Sequence, residues 1–200
     1  MFNLDKQWKP MMLYFFVIIF SLIGYAASEP LNEAAKRGDL DKVKSLTEEG
    51  ANVNSKDSNS DTPLYITVGQ GYKHVAELLI LKGANVNAAC TFGYTPLHRS
   101  VTALGGDKEL AELLISESAN VNAVDEKGRT PLAHAAYSGH KELAELLILN
   151  GAKINVADNK DRTPLDWANY SRHKDVVELL IMHGGETRSP WSGSDFGRMF

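Results

Sequence analysis

An all-α solenoid of stacked helix-turn-helix repeats, joined by short loop or β-turn fingers, is the fold class that this sequence predicts. One observation is a tetrapeptide, Thr-Pro-Leu plus one variable residue, which begins at Thr62, Thr95, Thr130 and Thr163. These threonines are 95−62 = 33, 130−95 = 35 and 163−130 = 33 residues apart. A second apolar segment and a closing segment of the form Gly-Ala-Asn-Val-Asn recur with it. A fixed period of this length is typical of stacked repeats rather than of one closed core.

Each Thr-Pro-Leu tetrapeptide is predicted to begin the first helix of its repeat. The threonine hydroxyl can accept a hydrogen bond from a backbone N–H that has no partner in the first helical turn. Proline at the next position has its φ angle already set for that turn, and it lacks the N–H that would stay unpaired there. A turn that contains glycine follows, for example at Gly71 and Gly139.

The second helix of the repeat is clearest in residues 108–115 and 141–148, which share the sequence Lys-Glu-Leu-Ala-Glu-Leu-Leu-Ile. Leu110, Leu113 and Leu114 fall at positions i, i+3 and i+4, so they form one apolar face of a helix. The glutamates of the segment point away from that face. The same pattern occurs in residues 74–80 and 175–181.

A closing loop is predicted after each second helix. Glycine at the helix end, as at Gly50, Gly83 and Gly151, tolerates the left-handed conformation that terminates a helix. The paired asparagines of the loop have amides suited to satisfying loop backbone groups, so we assign them a structural role. These pairs are Asn52 and Asn54, Asn85 and Asn87, and Asn120 and Asn122.

These segments together resemble the ankyrin repeat. Its pattern is Asp-x-x-Gly-x-Thr-Pro-Leu-His-x-Ala-Ala-x-x-Gly-His, followed by a second helix and Gly-Ala-x-Val-Asn-Ala, and residues 125–140 match the first part nearly position for position. The resemblance implies five repeats within 29–187, at 29–57, 58–90, 91–125, 126–158 and 159–187. A leader at 1–28 and a tail at 188–200 flank them.

Several positions depart from the family pattern. Repeat three carries two extra residues near 103–106, which should lengthen its interhelical turn. Ser118 replaces the glycine that usually ends the second helix, and Arg172 stands where glycine is expected in repeat five. Asn169 occupies a position where alanine is usually buried.

Composition indicates one folded domain. The chain has 200 residues with 44% hydrophobic and 23% charged content, and its formal net charge is −4. Because a basic stripe is missing, nucleic acid is not an expected partner. Cys90 is the only cysteine, so an internal disulfide is excluded.

The first 28 residues have the layout of a secretory signal peptide. Lys6 and Lys9 precede an uncharged apolar run over 11–23, and small residues follow before a cleavage site near Ser28. The run is short for a bilayer span, which needs about 20 residues. A signal peptide is therefore favoured, an uncleaved membrane anchor is the alternative, and a buried helix is a third interpretation. Export implies a periplasmic or secreted protein.

No constellation for catalysis is present in the sequence. The histidines lack metal-ligand spacing, no nucleophile is paired with a base, and the glycines follow no strand. The resemblance implies that His98 and His140 make hydrogen bonds between neighbouring repeats. We therefore expect no enzyme activity, no cofactor and no metal; an enzyme with an unrecognised site stays as a minor alternative.

In ankyrin-like stacks, loop tips and exposed first-helix positions line one concave side that is free for partners. Carried over position by position, the resemblance implies these partner-binding residues: Asp61, Thr91, Phe92, Tyr94, Glu126, Lys127, Arg129, Tyr137, Asn159, Lys160, Arg162 and Tyr170. Alternatively, the aromatic rings fill gaps between repeats, which suits Tyr137 and Tyr170 better than Phe92 and Tyr94. Trp167 is assigned to the core.

The expected function is that of a non-catalytic module that binds another protein in an exported compartment. We expect a monomer that meets the membrane only through residues 1–28, if these are not cleaved. A membrane-anchored scaffold is the alternative. The tail beyond Arg188 contains isolated aromatic residues, which could shield the last repeat because the ends of an array need covering.

Overall fold

The computed structural model describes residues 31–103 and 105–188, and these form an all-α stack of helix pairs. In this part of the chain no β-strand occurs, and no helix is long and apolar enough to cross a membrane. The predicted fold class is confirmed. The predictions for residues 1–28 and for the tail from 189 onward lie outside the described residues.

Five first helices alternate with five second helices along the described chain. The first helices are α1 (31–37), α3 (Pro63–Gln70), α5 (Pro96–Thr102), α7 (Pro131–Ser138) and α9 (Pro164–Ser171). The second helices are α2 (Leu40–Glu48), α4 (Lys73–Leu81), α6 (Lys108–Ser116), α8 (Lys141–Leu149) and α10 (Lys174–Met182). From α3 onward each first helix packs on the next first helix, and the second helices form a parallel layer. The solenoid is therefore two helices deep.

The threonine of each Thr-Pro-Leu tetrapeptide caps a first helix in the way the sequence predicts. Its hydroxyl accepts the backbone N–H three residues later in all four copies, with proline at the first helical position. In two copies the third helical residue completes a reciprocal capping box: His98 does so for Thr95, and Asp166 for Thr163. Local sequence alone thus fixes where these helices begin.

One continuous apolar core lies between the two helix layers. It extends from Leu31 in α1 to Leu180 in α10 and is built mainly from leucine and alanine. Each first helix contributes its Pro-Leu leucine, such as Leu97, which is completely buried. Because each repeat consists of a single pair of helices, most of its apolar side chains are buried against a neighbouring repeat.

Asparagine side chains connect the closing loops of successive repeats. Asn122 Oδ1 accepts the backbone N–H of Lys153 at 2.8 Å, and its Nδ2 donates to the carbonyl of Gly151 at 3.0 Å. Asn54, Asn87 and Asn155 make the same pair of bonds to the next loop along the chain. We call this series the asparagine ladder. It gives the predicted structural asparagines their physical role.

The interhelical turn of repeat three is longer than the others, as the two extra residues predict. Helix α5 ends at Thr102 and α6 begins at Lys108, whereas α3 and α4 are separated only by Gly71 and Tyr72. Gly105 and Gly106 both take positive φ angles in this turn. The insertion is therefore absorbed without disturbing the helices beside it.

Ser118 ends α6 in the left-handed conformation with φ +68°, where the other second helices end at glycines with φ between +80° and +91°. A side chain at such a φ angle costs about 1 kcal/mol relative to glycine. We predict that Ser118→Gly raises the free energy of unfolding by about 0.5–1 kcal/mol, as measured by urea denaturation.

Ser116→Gly is the matched control, because Ser116 is the last residue of α6 and has no positive φ angle, so glycine there lowers stability by about 0.5 kcal/mol. If both substitutions shift the unfolding midpoint in the same direction, the strain assigned to Ser118 is absent.

Candidate functional site

We call the loops that precede the Thr-Pro-Leu tetrapeptides fingers; they comprise residues 57–61, 90–94, 125–129 and 158–162. A cavity of about 500 Å³ opens between the fingers and first helices of the last two Thr-Pro-Leu repeats. We call it the aromatic groove. Its residues come from two kinds of element, loop fingers and first helices, which the sequence separates but the stacking brings together. The lining residues are Arg129, Tyr137, Lys160, Arg162, Asp166, Trp167 and Tyr170.

Three aromatic rings in mutual contact form the helix side of the aromatic groove. Tyr137 of α7 and Tyr170 of α9 lie nearly parallel, with ring centroids 6.3 Å apart, and both meet Trp167 edge to face. Trp167 is only 9% exposed, whereas Tyr137 and Tyr170 are 48% and 53% exposed. The tyrosines therefore pack on a buried tryptophan and still present about half of their surface to solvent.

The finger side of the groove presents two guanidinium groups that are held by buried aspartates. Arg129 Nε and Nη2 approach Asp125 Oδ2 at 2.9 and 2.8 Å. Arg162 repeats the arrangement on Asp158 at 2.9 and 2.7 Å, and its guanidinium also lies 3.9 Å from the ring centre of Trp167. Such pairing fixes the orientation of each arginine before any partner arrives.

Hydrogen bonding keeps both aspartates ionised. Burial alone would raise the pKa of Asp125, but hydrogen bonds from the Arg129 backbone and guanidinium and from the His134 ring outweigh it and hold that pKa below its ordinary value. Burial likewise opposes ionisation of Asp158, and donors on Arg162 and the Lys160 backbone lower its pKa. Each arginine therefore keeps a charged anchor at neutral pH.

A second, smaller cavity of about 240 Å³ adjoins the first and shares Arg129 with it. We call it the finger groove. The Tyr94 hydroxyl accepts a hydrogen bond from Arg129 Nη2 at 2.9 Å, and the Tyr94 ring contacts the rings of His98 and His134. The finger groove is lined by Phe92, Tyr94, Asp125, Glu126, Lys127 and Arg129.

Phe92 stands out because its side chain is 63% exposed and its backbone has φ +67°. A bulky residue in the left-handed region is a conformational outlier. The reason lies two residues earlier. Asp57, Asp125 and Asp158 each accept hydrogen bonds from two backbone N–H groups of their own finger. Cys90 occupies the equivalent position in the finger of repeat three.

Cys90 leaves that finger without the aspartate acceptor, and the chain takes a short 3-10 turn over Thr91–Gly93 instead. The thiol is partly buried near Tyr65 and Asp61, and burial raises its pKa. The cysteine is thus a poor nucleophile. Its finger differs in backbone conformation: Phe92 has a positive φ angle, whereas Asn59, Lys127 and Lys160 at the equivalent position do not, although all four residues are exposed.

The predicted partner-binding residues fall into three groups in the structure. Arg129, Tyr137, Lys160, Arg162 and Tyr170 meet in the aromatic groove, and the finger groove gathers Phe92, Tyr94, Glu126 and Lys127 beside Arg129. Asp61 and Asn159 line neither groove, and the side chain of Thr91 lies outside the part of the molecule that the structure describes.

Asp61, Thr91 and Asn159 lie at other points of the fingers. Asp61 is half-buried beside Cys90, and burial together with the charge of Asp57 raises its pKa. Thr91 begins the 3-10 turn. Asn159 joins two fingers, since its Nδ2 donates to the Glu126 carbonyl at 2.9 Å and its backbone N–H donates to the Lys127 carbonyl.

Sequence reasoning missed two features of this surface. Trp167, which we assigned to the core, is buried as expected but also forms the floor of the aromatic groove. Arg99 lines a separate cavity of about 470 Å³ beside the lengthened turn, and its guanidinium lies 5.7 Å from the Tyr65 ring centre. Sequence position alone did not reveal the role of Trp167 or of Arg99, because each role depends on where a neighbouring repeat places its side chains.

Two buried histidines lie behind the finger groove. His98 Nδ1 accepts the backbone N–H of Thr95 at 3.2 Å, and its Nε2 donates to the Arg129 carbonyl at 3.2 Å. That second bond joins neighbouring repeats, as the resemblance implied. His134 Nε2 lies 3.0 Å from Asp125 Oδ2. Among the residues of 31–103 and 105–188, no group of three or more histidine, cysteine or acidic side chains has the arrangement of a metal site.

Comparison with known proteins decides the family. A family model described as ankyrin repeats (3 copies) matches residues 31–125 and again residues 100–189, which together exceed half of the chain. The chain belongs to the ankyrin-repeat family. This membership identifies it as a protein–protein interaction module, and ankyrin-repeat proteins are generally non-catalytic.

Segments similar to this chain occur in proteins of very different size. The chain is 36% identical over 84 residues to alpha-latrotoxin-Lh1a of Latrodectus hasselti, covering 42% of this chain and 6% of the toxin. A putative ankyrin repeat protein of Rickettsia bellii (strain RML369-C) is 46% identical over 41 residues, or 20% of this chain and 17% of that one. Protein phosphatase 1 regulatory subunit 27 of Mus musculus is 39% identical over 66 residues, or 33% and 43%. The chain therefore spans less than half the length of each relative.

The buried imidazole of His98 makes the stability of the ankyrin array depend on pH. Burial, together with the nearby His134, lowers the pKa of His98 from 6.5 to about 4. In the unfolded chain the His98 imidazole is protonated as the pH falls through about 6.5, whereas in the folded chain it stays neutral until about pH 4. The contribution of neutral His98 to stability is therefore fully present above pH 6.5 and is lost as the pH falls toward 4. Between pH 7 and pH 5 we predict a loss of about 2 kcal/mol from His98.

Thermal unfolding across this pH range measures the effect in His98→Gln, which keeps a hydrogen-bonding side chain but cannot titrate and should flatten the curve. His74→Gln is the control, because the His74 side chain is 83% exposed and pairs with Glu77 on the surface of its own helix. A pH dependence that survives unchanged in His98→Gln would rule out this origin.

Proposed function

We propose that this ankyrin array binds another protein through a concave surface made by its finger tips and first helices, without catalysing a reaction. The observation that carries the proposal is the aromatic groove. It combines side chains from two neighbouring fingers with side chains from α7 and α9 in one open cavity. A surface that draws on several repeats at once is what a partner protein requires.

The chemistry of the exposed side chains supports the proposal. Phe92, Tyr137 and Tyr170 all leave about half or more of their surface open to solvent, beside the fixed guanidinium groups of Arg129 and Arg162. Aromatic and arginine side chains are the types that dominate binding energy at protein interfaces, where one such residue is worth about 2 kcal/mol or more. Burial of the aromatic rings under a partner would supply that energy.

A named relative points in the same direction. Protein phosphatase 1 regulatory subunit 27 is, by its name, a regulatory subunit and therefore acts with another protein. Its similarity to this chain covers 66 residues, so we transfer only the general mode of action and not the phosphatase.

We place the array in an exported compartment, periplasmic or secreted. The support is the sequence of residues 1–28, in which two lysines precede an apolar run and small residues. If that segment is retained, the same array becomes a scaffold anchored to a membrane. The apolar run over 11–23 would then be the anchoring segment, and it is shorter than the about 20 residues of a typical bilayer span.

Photo-crosslinking of the full chain in its native cells tests the binding surface. We replace Tyr170 or Phe92 by benzoylphenylalanine, and Glu145, which is exposed on α8 in the second-helix layer, serves as the matched control. The expected result is a discrete protein adduct from positions 170 and 92 and none from position 145. N-terminal sequencing of the same purified adduct should find a chain that begins close to Ser28.

Adducts of equal yield from position 145 would contradict the proposed surface. A purified chain that retains Met1 would contradict cleavage and would favour the anchored scaffold. The two readouts are independent, so the surface and the compartment can fail separately.

A further inference from the structure

The aromatic groove has one wall of cations and one wall of tyrosines. The cations are Arg129, Lys160 and Arg162 on the fingers, and the tyrosines are Tyr137 and Tyr170 on α7 and α9. Trp167 lies between the walls, edge-on to both tyrosines. A bound chain lying in the groove would meet positive charge on one side and aromatic faces on the other.

The cationic wall has N–H donors that are not engaged in hydrogen bonds with the described residues. Arg129 and Arg162 use Nε and Nη2 for their buried aspartates, and Arg129 Nη2 also reaches Tyr94. Among the described residues the Nη1 group of each arginine has no hydrogen-bond partner. The exposed ammonium group of Lys160 has none there either. Three cationic groups therefore face the groove with unfilled bonding capacity.

The negative charges of the groove are already engaged. The side chains of Asp125 and Asp158 are 1% exposed and lie behind the arginines. Asp166 Oδ2 accepts from the backbone N–H groups of Thr163 and Arg188 and from the Thr163 hydroxyl. The atoms that face a ligand are therefore mainly the N–H donors of Arg129, Lys160 and Arg162, whose formal charges are balanced by the three aspartates behind them.

The floor of the groove holds an unsatisfied donor. Trp167 Nε1 is buried and has no hydrogen-bond acceptor among the described residues. A buried donor without an acceptor is energetically costly, and an oxygen of a bound chain would reach this one only if the side chains around it shift.

We infer that the aromatic groove binds an acidic peptide segment of a partner protein, with carboxylates on the finger side and an apolar or aromatic side chain against Tyr137 and Tyr170. This inference rests on the proposed function and adds the chemical class of the partner. Arginines that are already oriented by buried carboxylates lose little freedom on binding, and each can donate to a bound carboxylate through its Nη1 group.

Selection from a phage library of random dodecapeptides on the full-length chain tests the inference. Lys160→Glu is the discriminating variant, because Lys160 is exposed and its replacement leaves the buried arginine–aspartate pairs intact. Lys174→Glu makes the same charge change on exposed α10, away from the groove. The expected consensus contains several Asp or Glu residues beside an aromatic or large apolar residue.

Fluorescence anisotropy with a synthetic consensus peptide then measures affinity. Lys160→Glu should weaken binding at least about tenfold, and a peptide with Asn and Gln in place of its acids should lose about as much. Tyr170→Ala should also weaken binding, whereas Lys174→Glu should leave it within about twofold of wild type.

Three outcomes would overturn the inference: a neutral or basic consensus, equal losses in Lys160→Glu and Lys174→Glu, or selection that succeeds only after Trp191→Ser with Asp195→Asn. The last would mean that the chain's own tail occupies the groove. A Tyr170 crosslink to a partner together with a neutral or basic consensus would leave the binding surface standing and remove only the acidic class. Loss of that crosslink would remove both.

Discussion

The packing of each repeat against its neighbour is the constraint on which the rest of this structure depends. A two-helix unit cannot bury its own apolar face, so the leucines and alanines of one repeat are covered by the next, in one core from Leu31 to Leu180. The asparagine ladder adds a polar connection at each closing loop. Asn54, Asn87 and Asn122 each tie one loop to the next through both atoms of an amide.

This division of labour explains why one side of the molecule is free for function. The core and the ladder use the inner helix faces and the closing loops, while finger tips and outer first-helix positions remain available. Repeat stacking then aligns the two arginine–aspartate pairs, at Arg129 and Arg162, 33 residues apart along the chain. The same stacking places Tyr137 against Tyr170. The aromatic groove is thus a product of periodicity rather than of any single motif.

Sequence periodicity was sufficient for the fold because the helix starts, helix ends and loops depend on local chemistry. The Thr-Pro-Leu caps and the lengthened turn before Lys108 follow from residues within a few positions of each other. Side-chain partners across repeats were harder to predict. The pairing of Arg129 with Asp125 and Tyr94 requires rotamers that the spacing does not specify. The positive φ angle of Phe92 occurs in the finger where Cys90 replaces the aspartate, a change of backbone that family position alone did not indicate.

Removal of one rung of the asparagine ladder tests most directly whether coupling between repeats holds the molecule together. Asn122→Ala deletes the bonds to Lys153 and Gly151, and we expect the free energy of unfolding by urea to fall by about 1–3 kcal/mol. Asn150→Ala is the matched comparison, because the Asn150 amide bonds only to the Leu146 carbonyl of its own helix. A loss in Asn122→Ala no larger than in Asn150→Ala would contradict the account.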